Sequence, residues 1–115
     1  MSTGFWQVEF FQDSRSQFPV QKWLRSMTKK ERAHIIRKIE MLETRGTSLG
    51  FPHVKQVDGK LWELRTRLNR RAFRIFYVIM SGNRIVLLHG FVKSTDKTPP
   101  NEIEVAKGRM RSLLN

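Results

Sequence analysis

Residues Leu61 to Lys93 read LWELRTRLNRRAFRIFYVIMSGNRIVLLHGFVK, three apolar runs broken by two short polar turns. The runs are Leu61 to Leu68, Ala72 to Met80 and Arg84 to Val92, and the turns are Asn69-Arg70-Arg71 and Ser81-Gly82-Asn83. β-Branched and aromatic residues dominate the last two runs, so the spacing predicts three adjacent antiparallel strands. Upstream, Trp6-Gln7-Val8-Glu9-Phe10 alternates apolar and polar side chains, a strand with one buried face over roughly Phe5 to Phe11. Pro19 suits the first turn of a helix carrying Val20, Trp23, Leu24 and Met27 on one stripe. Thr28 and Glu31 have the spacing of a capping box for a second helix. Its buried stripe is Ile35 or Ile36, Ile39 and Leu42, and Gly46 ends it. Gly50 to Asp58, with Pro52 inside, reads as a loop. After Thr98-Pro99-Pro100 a closing helix places Ile103, Ala106, Met110 and Leu113 on one side.

The expected architecture is therefore α+β, in the order β-α-α-β-β-β-α. It is an antiparallel-dominated twisted sheet with the helices packed on one face and the other face partly open. At 115 residues the chain has room for a single domain spanning 1–115. Hydrophobic residues at 39% and eight Phe set the composition of a folded globule apart from that of a disordered chain.

Charge narrows the partner. Twenty-two Lys and Arg against ten acidic residues give a net charge of +12, which favours polyanions through counterion release and steering. Nucleic acid is the first expectation. The sequence has no cysteine, so disulfides and thiolate metal sites are excluded. No cleavable leader or spanning apolar run is visible, which points to the cytoplasm and away from the membrane. The excess is concentrated: from Gly59 to Thr98 nine basic residues face only Glu63 and Asp96. Alternation along a strand sends Glu63, Arg65 and Arg67 to one face, and His89, Phe91 and Lys93 share a parity opposite to Leu88, Gly90 and Val92. Arg74 interrupts the apolar run Phe73 to Met80 and needs an open face or a partner, because burying a lone charge is costly. If the strands are neighbours, Arg65, Arg67, Arg74, His89 and Lys93 converge on one anion site, with Phe91 as a stacking surface. The plainer alternative is a solvated sheet face with cross-strand Glu63–Arg pairs.

The pieces Gly59-Lys60-Leu61-Trp62-Glu63-Leu64-Arg65, Phe73-Arg74-Ile75-Phe76-Tyr77, Val86-Leu87-Leu88-His89-Gly90-Phe91-Val92-Lys93 and Lys97-Thr98-Pro99, with Ala106 in the closing helix, come in a fixed order and spacing. Together they resemble the phage-derived HigB-like branch of the RelE/ParE toxin superfamily, over nearly the whole chain. The resemblance implies a RelE-like fold and the toxin of a type II toxin–antitoxin pair. Such a toxin enters the ribosomal A site, cuts mRNA and is silenced by a cognate antitoxin, here expected to be a helix-turn-helix protein. Carried over by position, the basic cluster of the family falls on Arg65, Arg67, Arg74 and Lys93. The chain departs from some relatives in having no Tyr on the closing helix and Ser94 after Lys93.

Metal-independent cleavage has a 2′-OH attack the adjacent phosphate, which requires positioning, charge neutralisation and proton transfers. Arginine supplies the first two but stays protonated. Arg65 and Arg74 are thus expected on the phosphate, with Lys93 or His89 carrying the proton. Arg67, Arg71, Phe91 and Lys97 are the expected RNA contacts. His34 and His53 read as surface or loop residues, and Tyr77, Trp23 and Trp62 as core. No metal site and no cofactor are expected. The competing function is a ParE-like DNA gyrase inhibitor without nuclease chemistry, since one fold can serve both.

Overall fold

A computed structural model describes residues 6–94 and 97–114. Five strands and three helices follow one another as β1 (Gln7–Phe10), α1 (Pro19–Arg25), α2 (Lys29–Arg45), β2 (Val54–Asp58), β3 (Leu61–Leu68), β4 (Arg71–Met80), β5 (Arg84–Lys93) and α3 (Pro100–Leu114). The strands form one mixed sheet in the order β1-β5-β4-β3-β2, in which only the β1–β5 pair is parallel. The expected Phe5 start of β1 lies outside the described residues.

The helix signals hold in atomic detail. The Thr28 hydroxyl accepts from the Glu31 amide at 3.1 Å and the Glu31 carboxylate accepts from the Thr28 amide at 3.0 Å, so both halves of the capping box form. Ile35, not Ile36, is the buried member of the stripe, and Gly46 caps the helix with φ 53°. Trp6 lies where a Cβ on Gly46 would be, so the glycine serves both the backbone turn and this close approach.

Two expectations need correction. The segment Gly50 to Asp58 is not all loop: Val54–Asp58 pairs with β3 and gives the sheet a fifth strand. Asp58 opposite Leu61 closes a two-residue turn of Gly59 and Lys60, with Gly59 at φ +55°. Nor do the helices share one face. Val20, Leu24, Ile35 and Leu42 of α1 and α2 pack on Leu64, Phe73, Ile75, Tyr77, Ile85 and Leu87, whereas Ala106 of α3 packs on Leu61, Phe76, Val78, Val86, Leu88 and Phe91. Successive side chains of β4 point to opposite faces, so α3 covers the side away from α1 and α2.

A bulge in β5 sets what the second face presents. Phe76 is opposite His89 but Tyr77 is opposite Leu87, leaving Leu88 as the extra residue. The parity of β5 therefore switches at this point, and Leu88 lies in the same cluster as Phe91 rather than opposite to it. Gly90 faces the other way, and a Cβ there would lie 2.4 Å from the Trp23 ring, so α1 sits directly on the backbone of β5.

Candidate nucleic-acid interface

Cross-strand pairing brings Arg65 opposite Arg74, Arg74 opposite Phe91, Arg67 opposite Ala72 and Ala72 opposite Lys93. Arg65, Arg67, Arg74 and Lys93 thus share one face of three adjacent strands. With Arg70, Ala72 and Ser94 they line a concavity of about 300 Å³. α3 covers the other half of this face and stops short of the basic half. Its attachments are explicit. Lys107 pairs with Asp58, the Arg109 guanidinium donates to the Leu88 carbonyl at 2.8 Å, and His89 Nε2 lies 2.8 Å from the Glu102 carboxylate.

Arg74 is the unusual member. It is 6% exposed and donates to the Phe73 carbonyl at 3.1 Å and, at 3.5 Å, to that of Thr66. Its counter-ion is Glu63, 3% exposed, whose carboxylate lies 3.6 Å from Arg74 Nε and 3.7 Å from Arg65 Nε. Thr98 donates to the same carboxylate at 3.4 Å. One carboxylate is thus shared by two guanidinium groups, and buried Nε atoms of both arginines retain unused hydrogen-bonding capacity. Burial lowers the pKa of Arg74, with Glu63 opposing and Arg65 and Arg67 reinforcing the shift. Burial likewise pulls the Lys93 ammonium below the usual lysine range, helped by the positive charge of Arg74, Arg65 and Lys55 against the contrary pull of Glu63.

Several expected site residues lie elsewhere. His89 is beneath α3: its ring stacks near Phe76 and Phe91, and its two nitrogens face Glu102 and, at 3.3 Å, Arg109. These partners match a ring that donates from Nε2 and accepts at Nδ1, which is a docking role for α3. Phe91 is buried against Phe76, with ring centroids 5.3 Å apart, so it offers no open stacking surface. Arg71 is on the α2 side of the sheet, paired with Glu31 at 3.2 Å and lying over the Phe73 ring. Lys97, by contrast, stands in the connection between β5 and α3 next to Thr98, whose hydroxyl donates to the Glu63 carboxylate, so its segment runs beside the basic cluster. Tyr77 is core as expected, and burial pushes its hydroxyl well above the usual range.

The structure also supplies neighbours that the sequence reading missed. β2 sets Lys55 directly opposite Glu63, at the margin of the cluster. The loop before β2 brings Phe51, Pro52 and His53, with Lys38 from α2, against Arg65, Thr66, Arg67 and Arg74. His53 is held by its carbonyl accepting from the Arg65 amide at 2.8 Å and by Nδ1 lying 3.0 Å from Lys38 Nζ. Burial, then the charges of Lys38 and Arg45, lower its pKa. The Asp58-Gly59 pair, a two-residue hairpin signal just before β3, marks the turn, but the polar stretch Val54–Asp58 gives no strand pattern of its own to go with it.

Among curated proteins no relative matches the chain. The family described as phage-derived protein Gp49-like (DUF891) matches residues 22–111, which takes in α2, all four strands from β2 to β5 and most of α3. Its affiliation implies a toxin of a toxin–antitoxin pair and a cognate antitoxin as partner. The chain belongs to the phage-derived Gp49-like family, within the RelE/HigB-like toxin superfamily.

Proposed function

We propose that this protein is a toxin that cleaves mRNA in the ribosomal A site, with its chemistry on the basic half of the β3–β4–β5 face. The observation that carries the reading is Arg74: a buried guanidinium in a strand, sharing one carboxylate with Arg65 and lining an open basic concavity. A cation buried only for packing would be an expensive choice, because apolar residues of similar volume stabilise as well or better.

In the proposed reaction Arg65 and Arg74 hold the scissile phosphate and stabilise the charge that develops on its oxygens. Neutral Lys93 takes the proton from the 2′-OH as that oxygen bonds to phosphorus. The bond to the 5′ oxygen breaks, and the leaving oxygen is protonated by water, giving a 2′,3′-cyclic phosphate and a free 5′-OH. Lys93 fits the base better than His89 because it lies on the concavity, whereas both nitrogens of His89 are engaged beneath α3. Arg67 is exposed on the same face and serves as a backbone contact. The cognate antitoxin, expected to be a helix-turn-helix protein, silences the toxin.

Induced expression followed by mapping of cellular mRNA 5′ ends tests the reading. New ends inside codons should accompany growth arrest, and Arg74→Ala should abolish both. An SOS response with intact mRNA would overturn the nuclease and favour a ParE-like action on gyrase.

A further inference from the structure

Phe51 is 78% exposed, the most exposed large hydrophobic side chain among the described residues, and it lies next to the basic concavity rather than at a random place on the surface. The Arg65 guanidinium carbon is 5.6 Å from the centre of its ring. Lys38, Pro52, His53, Thr66, Arg67 and Arg74 complete the walls of the same recess. The recess turns the edge of β3 beyond the start of β2: β2 pairs with β3 only from Leu64 back to Leu61, and past that point His53 alone reaches the Arg65 amide.

We infer that Phe51 is the platform of a nucleobase subsite, which stacks one unpaired base of the RNA strand whose phosphate is held by Arg65 and Arg74. This deepens the proposed function and rests on it. An open aromatic face beside a row of guanidinium groups is the arrangement that single-stranded RNA recognition uses, the ring taking the base and the cations tracking the backbone. Arg65 joins the two halves, because it borders both the phosphate concavity and the Phe51 recess. The ring serves no core: Phe51 belongs to neither apolar cluster, and its contact with Arg65 is worth little at such exposure. His53 and Lys38 add a mixed donor and acceptor edge with which a base can hydrogen-bond.

The test is equilibrium binding, by fluorescence anisotropy at fixed low salt, of a short single-stranded RNA made non-cleavable by 2′-O-methylation. It uses the wild-type protein, Phe51→Ala, Phe51→Trp and Arg74→Ala, together with a set of RNAs carrying one abasic position moved along the strand. Phe51→Ala should weaken binding roughly 5- to 150-fold, the range for loss of one base–aromatic stack. Phe51→Trp should restore it, and one abasic position should bind wild type and Phe51→Ala alike. Phe51→Ala binding as tightly as wild type, while Arg74→Ala binds weakly, would overturn the base subsite and leave the proposed function standing. Equal weakening of Phe51→Ala on every abasic RNA would also overturn it, by showing that the ring only supports Arg65. Undiminished binding by Arg74→Ala would instead remove the phosphate site on which both readings rest.

Discussion

Glu63→Gln removes one negative charge from the centre of the basic face and leaves the side chain nearly the same shape. Glu63 and Arg74 are almost wholly buried, 3.6 Å apart, whereas Arg65 is a quarter exposed. Two unit charges at this separation attract by on the order of 4 kcal/mol under the effective dielectric that suits protein sites. Breaking a buried pair by removing one partner costs about 3–5 kcal/mol, because the remaining cation keeps its burial and loses its counter-ion. The Arg65 half adds less than about 1 kcal/mol through solvent screening. For a domain of this size, where 1 kcal/mol shifts Tm by about 4 °C, the variant should melt some ~12–20 °C lower. Thermal denaturation followed by circular dichroism, at neutral pH and low salt, reads the change directly. Sulfate should raise the Tm of the variant more than that of wild type, since an anion would occupy the position the carboxylate charge has left. A Tm within about 3 °C of wild type would refute the view that Glu63 holds together a strained cluster of cations.

The other predictions concern single contacts. Lys93→Met should stabilise the protein at neutral pH, by under about 1 kcal/mol, because the lowered lysine pKa means that the folded state resists protonation. The unfolded chain then binds more protons at Lys93 between the folded pKa and the ordinary lysine value, so Lys93 adds a positive term to the slope of stability against pH in that window, and Lys93→Met should show a correspondingly smaller slope than wild type in urea titrations. His89→Gln should lower Tm while leaving the cleavage rate within a few-fold, and a large loss of rate with unchanged Tm would return His89 to the chemistry. Gly90→Ala should cost about 1–3 kcal/mol in denaturant melts, because its Cβ meets the Trp23 ring at 2.4 Å and α1 must shift.

Local signals in the sequence carried most of the fold. The capping box at Thr28 and Glu31, the Gly46 stop and the β3 and β4 runs are set by neighbours within a few residues, and each forms where expected. β2 was missed because Val54–Asp58 is short and polar and gains its strand conformation from pairing with β3. The side taken by α3 is a tertiary choice, made by the fit of Ala106 against Phe76 and Leu88, and periodicity reports that a helix has an apolar stripe but not which sheet face receives it. The candidate site divides in the same way. Strand parity was enough to join Arg65, Arg67, Arg74 and Lys93, since regular pairing carries alternation across neighbouring strands. It misjudged His89 and Phe91, which have the right parity but fall under α3, while Arg71, read as a turn residue, is the first residue of β4 and points to α2. Phe51, His53 and Lys55 lie in a segment whose path depends on β2, so their place beside the arginines could be read only from the structure.

The central claim is that the Arg65, Arg74 and Lys93 face cuts mRNA on the ribosome. Purified protein added to ribosomes programmed with a defined mRNA and stalled with an empty A site tests it most directly. Single-turnover cleavage should yield a 2′,3′-cyclic phosphate and a 5′-OH end within the A-site codon. The rate should rise with pH as Lys93 loses its proton, and Arg74→Ala should lower it by at least about a hundredfold, the scale of losing one transition-state contact. Intact mRNA with the wild-type protein, or cleavage by Arg74→Ala at the wild-type rate, would contradict the account.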